Sequence, residues 1–349
     1  MHQSVIRAFQ GILKNVKSPS IEGDFATQFA LRRFAKKFEV PVAATTSARK
    51  VKTFEQWVAY DDSLRAIHLP HGSWYRARLL IHQVLRGFSF GELSFTGGSS
   101  SQPLHGLQAI SDKLLTHDWE VSSNCVDLFV KLALDDHAFI KAAKIRTRRS
   151  LGDEMYRSEV KRIYSLRRRP DDVKKWLLLY NLTCREASRF STVLKNNEID
   201  RSIDLQQFIN MLVQRAIGLG LREVIKNHFG VDLEETQPIH GRMIADLGKA
   251  TIDLKNASDS NTWSLVDFLC PKWFAQILRE ACPPFTEGLD GHYYVTKKVS
   301  SMGNGFTFEL MTLVLLALVR QFDNHGSVYG DDIIIDRSVA GEFILALES

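Results

Sequence analysis

Apolar residues keep mostly to helical spacing in the first half of the chain and break into shorter, strand-like runs in the second. Leu79, Leu80, Val84 and Leu85 fall on one face of a helix that Ser73 can cap, that runs through Arg86 and that Gly87 ends. Asp171 and Asp172 can cap a helix over Val173 to Leu182, and Leu205, Phe208, Ile209, Leu212 and Ala216 mark the start of another. After Gly230 short strands alternate with helices. Ala250 to Leu254 reads as a strand with Asp253 near its end, and Thr262 to Leu269 as a helix stopped by Cys270-Pro271. Phe308 to Arg320 is apolar nearly all round, which predicts a helix buried against a sheet. Ser327-Val328 and Ile333-Ile334-Ile335 are short β-type segments on either side of Tyr329-Gly330-Asp331-Asp332. Elements mixed in this order predict an α+β fold.

Composition narrows the class. With 349 residues and 44% hydrophobic content the chain can build a substantial core, so disorder is not the expectation. Its longest apolar stretch is too short for a bilayer and carries Glu309, and the N-terminus lacks a secretory pattern; no membrane association and a cytosolic location are expected. Cys125, Cys184, Cys270 and Cys282 are widely spaced and read as buried reduced thiols. His68 and His71 flank a proline, which favours a loop over a metal-binding helix face, and Thr96 to Pro103 is a polar loop without the lysine of a P-loop.

Charge is informative by position more than by sum. The net charge is +5, but Arg146, Arg148, Arg149, Arg157, Lys161, Arg162, Arg167, Arg168, Arg169, Lys174 and Lys175 crowd one stretch with Tyr156, Tyr164 and Trp176 between them. Cations beside flat rings suit a nucleic-acid backbone and its bases. A solvated surface with inward aromatics is the other reading. Arg215, Arg222 and Lys226 align as a second basic stripe, open to the same two readings.

The candidate chemistry lies at Tyr329-Gly330-Asp331-Asp332, a turn that presents two adjacent carboxylates, with Asp253 as an isolated third upstream. Nucleotidyl transfer attacks an α-phosphate with a sugar 3′-hydroxyl, and charge develops on the entering and leaving oxygens. Two Mg²⁺ ions about 3.5–4 Å apart stabilise both. Magnesium takes hard oxygen ligands and retains waters, so a few carboxylates from different strands suffice. If the three acids converge, a cation is implied, because otherwise they repel and raise one another's pKa.

The wording around these acids resembles the polymerase motifs of single-stranded RNA bacteriophage replicases, in their catalytic (beta) subunit. Thr251 to Ser260 looks like motif A of RNA-dependent RNA polymerases, Ser300-Ser301-Met302-Gly303-Asn304-Gly305-Phe306-Thr307-Phe308-Glu309-Leu310 like motif B, and Val328 to Ile333 like motif C. Lys195 to Arg201 is similar to the basic motif F. In such a site Asp259, six residues after Asp253, can accept a hydrogen bond from the ribose 2′-hydroxyl; its alternative is a helix cap or first-turn acid. Gly303 and Gly305 let backbone approach a nucleotide, and Asn304 and Thr307 supply polar groups, although a turn before a helix, capped by Thr307, would use the same residues.

The resemblance implies a right-hand polymerase with fingers and palm, the palm an antiparallel sheet packed on helices. It divides the chain into a mostly helical fingers-associated region (1–150), a basic fingers region with motif F (151–235) and a palm with motifs A, B and C (236–349). The chain ends seventeen residues after Asp332, with Val339 to Leu347 as the start of a further palm helix. A C-terminally truncated enzyme is therefore expected, with motif D incomplete and the thumb largely absent. The implied activity is RNA-templated RNA synthesis in the cytoplasm of an infected bacterium. Asp253, Asp331 and Asp332 would hold two Mg²⁺ ions, with Mn²⁺ able to substitute, and Lys195 and Arg201 would bind the triphosphate. Implied partners are a single-stranded RNA template, NTPs, host elongation factors Tu and Ts and a ribosomal small-subunit protein. Two alternatives stand beside this reading: a reverse transcriptase, which also uses a Tyr-x-Asp-Asp turn, and a catalytically incomplete RNA-binding polymerase fragment.

Overall fold

The computed structural model describes residues 46–65, 71–94, 113–115, 118–158, 169–195, 199–299 and 302–349. His68, the Thr96–Pro103 loop, Lys161 to Arg168, Asn196 to Glu198, and Ser300 and Ser301 lie outside them. The chain divides into two compact units, one of Met1–Ala59 with Phe190–Ile203, the other of Tyr60–Arg189 with Asp204–Ser349.

In the smaller unit Phe190 packs edge-on against Phe54, ring centroids 5.0 Å apart, and beside Trp57 at 5.3 Å. Arg49 reaches the buried carboxylate of Asp200 at 2.8 Å. Strands β3 (Ala187–Leu194) and β4 (Asp200–Leu205) are neighbours in one sheet; Lys195 directly follows β3 and Arg201 lies within β4, both exposed.

The larger unit is helical around short sheets, as an α+β fold requires. Its central helix, Phe208–Phe229, ends at Gly230 in the left-handed conformation (φ 67°) and buries residues on nearly every turn. Packed against it is a second helix, Thr307–Val319, in which all but one residue are buried, matching its all-round apolar sequence. That helix supports a three-stranded antiparallel sheet of order β5-β9-β8, formed by Lys249–Asp253, Asp332–Asp336 and Ser327–Tyr329. Alternate faces cannot both be wet in β9, because Ile333, Ile334 and Ile335 are all buried.

Element ends differ from the sequence reading where a cap was misassigned. The helix Gly72–Val84 is capped by the His71 ring, whose Nδ1 accepts from the Ser73 N–H at 3.3 Å, and not by Ser73. Pro170 opens the helix Pro170–Tyr180, so Asp171 and Asp172 sit in its first turn instead of capping it. Thr262 caps Trp263–Leu269 by accepting from Leu265 N–H at 3.1 Å. Cys125, Cys270 and Cys282 are buried free thiols, the last two pushed up to about 12 by burial, so they are inert at neutral pH, whereas Cys184, at the end of a short strand, is exposed and departs from the expected burial. No helix among the described residues is long and apolar enough to cross a membrane.

Candidate active site

Register in the β5-β9-β8 sheet decides where the acids go. β5 and β9 pair antiparallel with Asp253 opposite Asp332, and β8 and β9 pair with Tyr329 opposite Asp332. Asp331 occupies the turn between β8 and β9. The two motif acids and the upstream acid therefore share one end of one sheet, in two adjacent strands and the turn between two of them. Gly330 makes the turn possible: its φ is +65°, and a Cβ there would lie 2.6 Å from the Phe308 ring. Its N–H donates to the Thr312 hydroxyl at 3.0 Å, while that hydroxyl donates to Phe308 C=O at 2.7 Å, which pins the turn to the buried helix.

The carboxylates are exposed at this end, and among the described residues no three His, Cys, Asp or Glu side chains are gathered into a cluster that could hold a metal ion. Their charges are felt nonetheless. Partial burial raises the Asp332 carboxyl above its ordinary range, the neighbouring charges of Asp331 and Asp253 raise it further, and His240 opposes them. His240 is itself a buried side chain, 2.8 Å from the Ser327 hydroxyl; burial lowers its pKa, and Asp332 raises it.

Asp259 is brought back beside β5 by a turn. Asn256 adopts positive φ (56°) directly after the strand, and Ser260 N–H then donates to Asn256 C=O at 3.1 Å in a short 3-10 turn. Asp259 is the first-turn acid of this 3-10 turn, Ser258–Ser260, and not the cap of the α-helix that follows, which Thr262 caps. It faces Lys298 Nζ at 3.9 Å, and the lysine side chain is fully buried. Burial raises the Asp259 carboxyl, Lys298 lowers it and Asp61 raises it.

Motif B glycines are accounted for by the protein's own backbone. A Cβ on Gly303, whose φ is +116°, would lie 2.4 Å from Asp204 C=O, and one on Gly305 would lie 2.8 Å from Arg215 N. Asn304 turns inward, its amide 3.4 Å from Val299 C=O, and its side-chain oxygen accepts from Phe306 N–H at 3.3 Å. Thr307 is buried in the first turn of its helix, where Phe306 holds the cap position, so the alternative reading of Thr307 as that helix's cap is not met.

The stripe of Arg215, Arg222 and Lys226 is engaged by the protein's own groups. Arg215 donates to Ser94 at 3.1 Å, Arg222 to Glu309 at 2.7 Å, and Lys226 pairs with Asp232 at 2.7 Å. In the upstream cluster Trp176 is buried and donates to the Thr147 hydroxyl at 3.1 Å, and Arg146 lies over the Trp119 ring at 5.1 Å. Trp176 therefore belongs to the core and cannot stack on bases, whereas Tyr156 is half-buried and Tyr164 lies outside the described residues.

Sequence reasoning missed Lys298, Asp61, Tyr60 and Asp204. Asp61 lies more than two hundred residues before Lys298, so nothing local marks their meeting.

Fold and site define an α+β chain with an acidic hairpin set against a third carboxylate. Its family follows from comparison: the model of the RNA replicase, beta-chain family matches residues 162–349, more than half of the sequence, and the chain belongs to that family. It is 36% identical over 177 residues to the RNA-directed RNA polymerase subunit beta of Enterobacteria phage SP, covering 47% of this chain and 30% of that protein. The RNA-directed RNA polymerase beta chain of Escherichia phage MS2 is 37% identical over 167 residues (45% and 30%), and the beta subunit of Escherichia virus Qbeta 36% identical over 155 residues (41% and 26%). The chain thus spans about 30% or less of the length of these relatives. Among solved structures it is similar, at 13% identity and a TM-score of 0.33, to an insertion-loop deletion mutant of the RNA-dependent RNA polymerase of a human picorbirnavirus, over 46% of this chain and 38% of that one.

Proposed function

We propose that the chain carries the nucleotidyl-transfer centre of an RNA-directed RNA polymerase that copies an RNA phage genome. The observation that carries this reading is the strand register that sets Asp253 opposite Asp332, with Asp331 in the adjoining positive-φ turn. Like charges directly opposite on neighbouring strands are unfavourable, and a site that keeps them needs a compensating cation. The three carboxylates are not gathered around one point in this structure, but their donor type, hard oxygen, is the one Mg²⁺ takes, with Mn²⁺ as a substitute. Asp253 and Asp331 would be the principal ligands and Asp332 the third. When bound, the metal supplies positive charge to the entering and leaving oxygens of the transferring phosphate.

The protein's own work is placement. Thr312 and Phe308 hold the turn, and Asp259 accepts from the sugar 2′-hydroxyl, which favours NTPs over dNTPs. Lys195 and Arg201, both exposed, would neutralise the incoming triphosphate, while Asn304 orders the motif B turn. In these terms residues 236–349 are the palm, 151–235 the basic fingers region and 1–150 a fingers-associated region. The RNA template, host factors Tu and Ts, and a ribosomal small-subunit protein are the proposed partners, in the cytoplasm of an infected bacterium.

Primer extension on an RNA template tests the reading, with the 349-residue chain and with a longer chain extended to the length of its relatives. In the longer chain NTPs are incorporated in preference to dNTPs, Asp331→Asn abolishes incorporation, and salt-sensitive RNA binding persists in the variant. Preference for dNTPs, or unchanged synthesis by Asp331→Asn, would overturn it.

A further inference from the structure

Lys298 is a lysine with no exposed side-chain surface, an expensive placement unless carboxylates surround it. Three do, from three parts of the chain. Asp259 approaches from the motif A turn, Asp61 from the helix Ser47–Ser63 and Asp204 from β4, all acting on the same ammonium. The Tyr60 ring lies 5.9 Å from it, and the Tyr60 hydroxyl meets Ser260, the residue after Asp259, at 3.0 Å. The backbone around Lys298 is also tied to motif A: Thr262 bridges Lys298, Val299 N–H donates to Asn261 C=O at 2.8 Å, and Trp263 N–H to Lys297 C=O at 2.9 Å. Neighbouring cations are turned elsewhere. Lys297 Nζ donates to the carbonyls of Asp62 and Leu64, and Arg279 pairs with Asp267 at 2.8 Å.

We propose that Lys298 is a positioning residue for sugar selection, its buried ammonium keeping Asp259 ionised and fixed so that the carboxylate can accept from a ribose 2′-hydroxyl. This rests on the role given to Asp259 above. The two remaining influences on Asp259, burial and the Asp61 charge, both favour the protonated acid. Without Lys298 the carboxyl protonates nearer neutrality, and a neutral acceptor makes a weaker bond to the hydroxyl than a charged one.

Two measurements on the 349-residue chain separate this proposal from the reading it rests on. The first follows the Asp259 carboxyl by ¹³C NMR, its signal identified by loss in Asp259→Asn. The titration midpoint rises in Lys298→Met and stays near the wild-type value in Lys298→Arg; a midpoint unmoved in Lys298→Met overturns the proposal without reference to nucleotide. The second compares ATP with 2′-deoxyATP binding by calorimetry in the presence of Mg²⁺. The preference for ATP falls about tenfold or more in Asp259→Asn and, at pH 7, in Lys298→Met, where it returns as pH is raised, because a site built to bond a hydroxyl discriminates strongly against its absence. If Asp259→Asn discriminates like the wild type, or the wild type does not discriminate, the sugar role of Asp259 is lost and the selectivity role of Lys298 with it, whatever the midpoint does. Thermal unfolding of each variant checks that it folds, and Lys298→Arg carries the test if Lys298→Met does not.

Discussion

The two ends of the β5–β9 ladder differ in one respect that separates structure from function. At one end Lys249 stands opposite Asp336, Nζ to carboxylate 4.0 Å, with Asp323 3.6 Å away on the other side. At the other end Asp253 stands opposite Asp332, beside Asp331, and among the described residues no lysine or arginine is paired with any of the three. The same two strands thus carry a charge pair that the protein completes itself and a set of acids that it leaves incomplete. A third group, Asp61, Asp204 and Asp259 around Lys298, shows that this fold can supply an internal cation where it keeps three acids together. At the β8–β9 turn the proposed Mg²⁺ would take that role.

Variants can break this contrast, and the largest effect belongs to the unpaired end. Asp331→Asn and Asp253→Asn in a full-length replicase chain lose about a thousandfold or more in RNA synthesis, measured by steady-state incorporation, because charge stabilisation at the reacting phosphate is the main catalytic term. Next comes the internal cation. Lys298→Met leaves buried carboxylates without their partner, and its unfolding free energy at pH 7.5 falls by about 2–4 kcal/mol in denaturant titrations. The loss shrinks toward pH 4.5 as Asp259 and Asp204 take up protons.

Asp204 sharpens the comparison by pH. Burial pushes its carboxyl up to about 6, with Ser188, Thr286, Gln206 and Lys298 acting against it. A raised carboxyl pKa contributes stability that is complete below the unfolded value of 3.8 and is lost as pH rises through about 6. Asp204→Asn removes the ionisation, so the variant gains on the wild type between pH 4 and pH 7, by on the order of 2–3 kcal/mol. A difference in melting temperature that stays constant across that range would contradict the assignment. The smallest effect is at the ladder itself. In EDTA, Asp253→Asn relieves a like-charge cross-strand pair and stabilises by a few tenths to about 1 kcal/mol, whereas Asp336→Asn removes an attractive pair and lowers the melting temperature slightly.

The acidic turn was legible because its signal is local. Asp331, Asp332 and the flanking strand residues are contiguous, and Asp253 ends its own apolar strand, so turn and strand signals locate each acid, while their meeting at one sheet end depends on the long-range β5–β9 register. The helix Thr307–Val319 was legible for a related reason, an apolar surface on every side. What sequence could not show depends on distant partners. Nothing in the sequence around Lys298 marks it as buried, because Asp61, Asp204 and Asp259 reach it from distant parts of the chain. Gly303 and Gly305 read as room for a nucleotide until Asp204 and Arg215 prove to lie against them. The stripe of Arg215, Arg222 and Lys226 has the right period for an RNA contact, but period does not reveal that Ser94, Glu309 and Asp232 already engage it.

The central claim, that the unpaired end of the ladder is a cation site, is tested most directly by Mn²⁺ binding to the 349-residue protein, followed by electron paramagnetic resonance of the free ion. The wild type and Asp336→Asn bind Mn²⁺, and Asp253→Asn and Asp331→Asn lose most of that binding. Equal binding in all four proteins, or none in the wild type, would contradict it.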